Sequence, residues 1–157
     1  MTWSAAREQI VTAIKTIPEA SLESPHVYGR TFKHVPNLLQ VRTVGRARSF
    51  AVNSEQAQRV QLSRGANRTQ QQCTISIDYP IETMADNLDG IIWADYIVVT
   101  DRLLDETQWN RPTSTIISVT LDPIDMVAST ETIDDGEKPI ARRLTFDLIV
   151  THTENAP

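Results

Sequence analysis

Residues 69–79 alternate strictly. Gln71, Cys73, Ile75, Ile77 and Tyr79 fall on one side of an extended chain, and Gln70, Gln72, Thr74, Ser76 and Asp78 on the other. Successive side chains of a strand point to opposite faces, so this stretch predicts a strand with one buried and one wet side. Pro80 ends it, having no amide proton to give to a ladder. The period then changes. Met84, Leu88, Ile92, Tyr96, Val99 and Leu103 recur at spacings of three and four, which predicts a long helix over 83–104 with a single apolar stripe. A half-buried strand needs a cover and an amphipathic helix needs a floor, so the two features together demand helices packed on a sheet.

The rest of the chain extends that plan. Ala6, Ile10, Ile14 and Ile17 share one helical face, with Ser4 as the expected N-cap and Pro18 as the stop. Residues 19–36 read as an irregular excursion broken by Pro25, Gly29 and Pro36. A strand is expected over 38–44. Residues 46–68 carry few aliphatic side chains and read as one or two arms of a long hairpin leaving the core, with a helical turn near 54–58, or as a solvated loop. Residues 115–121 predict a strand with Ile117, Val119 and Leu121 on one face. Asp134-Asp135-Gly136 predicts a turn of the kind that favours Asp-Gly. The last strand, 141–152, places Leu144, Phe146, Leu148 and Val150 inward. The fold class is therefore α+β: a mainly antiparallel sheet with an N-terminal helix and one long central helix packed on one face, plus a long hairpin or arm. At 157 residues the chain reads as one domain, 1–157, with an extended arginine-rich arm over 42–68. A chain of about 150 residues buries roughly 68–70% of its unfolded surface, enough for a core without staples.

Composition excludes several chemistries. The lone Cys73 cannot close an internal disulfide, and no Cys/His set stands at zinc-ligand spacing. The start, Met-Thr-Trp-Ser, does not read as a signal peptide, and the longest apolar cluster is interrupted by Asp95, so no membrane span is expected. The five glycines form no phosphate-cradling loop, and no nucleophile elbow occurs. His26, His34 and His152 read as surface or loop residues, and Cys73 as a small buried thiol. Asp86 with Asp89, Asp101 with Asp105, and Asp122 with Asp125 stand three or four apart, a spacing that could hold a divalent metal in a small acidic-site hydrolase or nuclease. The alternative is the solvated face of a helix, and the reading calls for no cofactor, no metal and no enzyme activity.

Charge is the more informative signal. The net −5 conceals a division: residues 30–68 hold eight Arg or Lys against Glu55 alone, which leaves −12 on the remainder. Arg42, Arg46, Arg48, Arg59, Arg64 and Arg68 are all arginine, the residue suited to bidentate pairing with carboxylate or phosphate. They read as a subunit interface, a sequence-blind contact with DNA, or a solvated loop. Asp86, Asp89, Asp101 and Asp105 make the complementary acidic face. Such a division suits different partners on different surfaces.

The order of elements resembles that of the small tail terminator proteins that cap the tail tube of long-tailed bacteriophages. The resemblance rests on the N-terminal helix over 4–17, the strand Gln70-Gln-Gln-Cys-Thr-Ile-Ser-Ile-Asp-Tyr-Pro80, the helix with Ile91-Ile92-Trp93, and the closing strand Leu144-Thr-Phe-Asp-Leu-Ile-Val-Thr151. It spans most of the chain as an order of elements without a diagnostic motif. It implies a structural virion protein of the tail or neck, assembled in the host cytoplasm into a hexameric ring. Such a ring contacts the tail tube protein on one side and a neck or connector protein on the other, with DNA passing through the channel. Another head-tail connector or head-completion protein is the nearest alternative.

Overall fold

The computed structural model describes residues 2–18, 32–35, 48–63, 66–80, 88–121, 128–134 and 136–153. Helix α1, Thr2–Lys15, buries Ala6, Ile10, Ile14 and, beyond its end, Ile17, the stripe read from the sequence. Ser4 is not its cap: the helix already runs from Thr2, which puts Ser4 inside the first turn. The helix closes ahead of Pro18, with the Thr16 hydroxyl donating back to the carbonyl of Thr12 at 2.8 Å. The central helix, α2, spans Leu88–Leu104; residues 83–87, expected at its start, lie outside the described residues, as does the expected strand over 38–44.

Among the described residues six strands form one sheet: β1 (Phe32–His34), β2 (Arg48–Ser63), β3 (Ala66–Pro80), β4 (Ile116–Leu121), β5 (Ser129–Asp134) and β6 (Pro139–Thr153). The order is β1-β2-β3-β6-β4, with β5 also on β6 beside the other half of that strand. β1 runs parallel to β2 and every other pairing is antiparallel. The buried residues of β3, Cys73, Ile75, Ile77 and Tyr79, and those of β6, Leu144, Phe146, Leu148 and Val150, all fall on one face and share a core with α1 and α2. Both helices therefore cover the same side. Each fully buried aliphatic side chain contributes on the order of 1.5–3 kcal/mol.

The described residues of 46–68 fall in two paired antiparallel strands, the long hairpin read from the sequence. β2 is a single strand of 16 residues paired with β3 from Ser49↔Asp78 to Ser63↔Ala66, and where a helical turn was expected near 54–58 the ladder shows only a register shift between Ser54 and Gln56. Phe50 and Val52 alternate into the core, but half of the strand is Gln, Ser or Arg, so most of its conformation is set by the ladder to β3. β1 is a short strand inside the stretch read as irregular. β5 was not foreseen either, since its STETID sequence has no buried face.

Two further readings need correction. A register shift between Ile116 and Ser118 turns Ile116 inward and leaves Ile117 38% exposed, so Ile117 does not share a face with buried Val119. The turn before β6 is longer than a two-residue Asp-Gly link: Asp134 pairs with Pro139, and Gly136, at φ +95°, donates its amide to the Asp134 carboxylate at 3.1 Å.

Candidate interaction surface

The sheet has a second face, opposite the helices, and its chemistry follows from register. Thr74 donates to Asp147 at 2.7 Å, Ser76 lies 3.5 Å from Thr145, and Arg143 grips Asp78 with Nε at 2.7 Å and a terminal nitrogen at 3.1 Å. Burial raises the Asp78 carboxyl above its ordinary value, and the Arg143 bond offsets this only in part. At the more exposed Arg143 the balance reverses, with the bond to Asp78 raising its affinity for a proton. These cross-strand pairs make a half-buried polar platform.

The arginines divide. Arg48 opens β2 and is completely buried, which corrects its reading as part of an exposed arm. Its guanidinium donates to Asp95 of α2 at 3.0 Å, and Tyr79 donates to the other carboxylate oxygen at 2.7 Å. The guanidinium carbon stands 5.7 Å from the centre of the Phe32 ring. This cluster joins β2, β3, α2 and β1 inside the core, where no partner reaches it. Arg59 lies in β2 opposite Thr69, and Arg68 lies in β3, half-buried, between Val60 and Thr153. Arg42, Arg46 and Arg64 are outside the described residues.

The acids divide as well. Asp89 is exposed in the first turn of α2 and stands 3.5 Å from Arg142. Asp101 is exposed near the other end of that helix. Asp105 caps a short 3-10 turn, Glu106–Gln108, by accepting from the amide and hydroxyl of Thr107, and those bonds lower its pKa. Asp86 is outside the described residues. Asp89 and Asp101 are twelve positions apart on one helix, about 18 Å at 1.5 Å per residue, and so do not share a metal. Among the described residues no three of His, Cys, Asp and Glu converge as ligands.

Sequence reading missed three features. Trp93 and Ile97, one turn apart on α2, are 41% and 58% exposed and lie between Asp89 and Asp101 along the helix. Their position off the apolar stripe was the available signal. His152, read as a surface residue, is buried against Trp3, with ring centres 6.0 Å apart. His34, at the end of β1, packs on Phe50, and burial followed by the charge of Arg7 lowers its pKa from the ordinary 6.5. His26 lies outside the described residues. Cys73 is buried as expected, and burial pushes its thiol up to about 12.

No known family model and no curated protein matches this chain. Its surfaces must therefore be read from their own chemistry. A shallow cleft of about 210 Å³ between α1 and the segment after α2 is lined by Gln9, Arg111 and Ser114 among others. Its polar groups engage one another: Gln9 accepts from the Ser114 hydroxyl at 3.1 Å and donates to the Thr115 hydroxyl at 3.2 Å. The larger features are the hairpin and the outer edges of the sheet. No helix of the described residues is long and apolar enough to cross a membrane.

Proposed function

We propose that this chain is a self-associating structural subunit, a ring-forming virion protein that caps the tail tube of a long-tailed bacteriophage and joins it to the neck. The reading rests chiefly on the β2–β3 hairpin. Among the described residues β6 pairs with β3 up to Thr153 opposite Arg68 and the hairpin runs on from there to the Ser63↔Ala66 pair, while beyond Phe50 β2 has β3 as its one neighbouring strand. Ala57 and Gln58 are exposed on β2, opposite Gln71 and Gln70. A strand with one side unpaired presents free amides and carbonyls, so an edge of this kind suits a surface on another molecule. Arg59 and Arg68 give the arm positive charge, and α2 with its exposed Trp93 and Ile97 offers a chemically different surface on the same subunit. A head-to-tail ring needs two such unlike surfaces on every copy.

Light scattering over a wide range of concentration, followed by electron microscopy with and without a tail tube protein, tests this. Rings, hexameric on this reading, are expected. A chain that stays monomeric throughout and forms no ring with the tube protein removes the proposal.

A further inference from the structure

One row of the sheet runs from edge to edge through charged residues. Lys33 of β1 pairs with Ser49, Ser49 with Asp78, Asp78 with Arg143, and Arg143 with Glu131 of β5. The row thus reads base, neutral, acid, base, acid, with exposed Lys33 at one end and exposed Glu131 at the other. Among the described residues no strand lies outside β1 or outside β5 on this row. Strand direction fits as well. β1 and β2 run together, β3 opposes β2, β6 opposes β3, and β5 opposes β6, so β5 points against β1.

We propose that the β1 edge of one copy docks antiparallel on the β5 edge of the next, with Lys33 facing Glu131, so that the sheet continues from subunit to subunit. This inference rests on the self-association proposed above and names its seam. Charge selects the occupant. Two β1 edges would oppose Lys33 to Lys33 and two β5 edges Glu131 to Glu131, and like charges directly opposite destabilise a ladder. The unlike edges attract, and because they sit at opposite ends of one row the contact is heterologous and repeats around an axis. The neighbouring rows are compatible, placing Thr130 opposite His34 and Thr132 opposite Phe32.

Two charge-reversal variants of the full chain provide the test, each checked for native circular dichroism. Lys33→Glu leaves both edges acidic and Glu131→Lys leaves both basic, so each alone should associate roughly tenfold more weakly or worse than the parent by sedimentation. An equimolar mixture should recover association, because every contact between unlike copies then pairs a base with an acid. Parent protein that associates while both variants match it, or variants whose mixture shows no recovery, overturns the seam and leaves self-association standing. Parent protein that remains monomeric at every concentration and forms no ring with the tube protein overturns both. Lys33→Arg keeps the charge and should retain full association, which separates the seam from a loss of folding.

Discussion

Asp95 is the residue on which the interior turns. It stands in the apolar stripe of α2, seven positions after Leu88 and four before Val99, where a lone acid requires a buried cation. Arg48 supplies it from 47 positions away, and the Tyr79 hydroxyl satisfies the second oxygen. Removing one partner strands the other charge in the core, so Asp95→Ala should lower stability by about 3–5 kcal/mol. Asp95→Asn, which keeps an acceptor for Tyr79, should cost less. Chemical denaturation of both variants measures the difference, and equal losses would show that Tyr79 adds nothing. Asp78 offers a pH test. Its carboxyl binds a proton more tightly folded than unfolded, mainly because burial disfavours its charge. Its contribution to stability is therefore fully present below the unfolded value near 3.8 and is lost as pH rises through the higher folded value. The advantage of the parent over Asp78→Asn should accordingly shrink with rising pH from about 4. An advantage that grows instead would mean that the Arg143 pair outweighs burial.

The elements were legible where burial has a period. The stripes of α1 and α2 and the alternation of β3 and β6 were plain, because each buries one face against the same core. β2 was legible only as one or two hairpin arms or a loop and β5 not at all, since much of their conformation comes from the ladder to a neighbour. Ile117 misled because a register shift cannot be seen in the order of residues. The Arg48–Asp95 pair was half visible: the acid in the stripe was a signal, while nothing local marked Arg48 as its partner. Of the arginines and acids singled out for the surface, Asp89, Asp101 and Asp105 are exposed whereas Arg48 is not, because composition counts charge without locating it. At the β5–β6 turn, Gly136 takes a positive φ of 95° with nothing within 4 Å of an added Cβ, so its replacement meets backbone strain and no clash. Gly136→Ala should therefore destabilise the protein by about 1–2 kcal/mol, read as a lower midpoint in urea with an unchanged slope. A neutral result would show that the hairpin relaxes to another turn.

For the whole molecule, the net charge of −5 and the seam predict opposite responses to salt, and distance decides between them. A globule of this length has a radius of gyration of about 15 Å, hence a sphere radius of about 19 Å, which sets the centres of two touching copies about 39 Å apart. Bare repulsion between their net charges is then about 2.7 kcal/mol in water. At about 0.1 M salt that separation is about four Debye lengths and leaves less than about 0.1 kcal/mol. A base and an acid about 4 Å apart attract by about 1 kcal/mol and lie well inside the screening length of about 10 Å. Raising salt from about 0.1 M to about 1 M shortens that length to about 3 Å and acts mainly on the close pairs, since the long-range repulsion is already gone. Association near pH 7 should therefore weaken progressively over this range, as followed by sedimentation, without vanishing where backbone hydrogen bonds across the seam persist. If salt strengthens association instead, the contact is apolar. The exposed Trp93 and Ile97 of α2 would then be its centre, and Ile97→Ser would abolish it while leaving stability within about 0.5 kcal/mol of the parent.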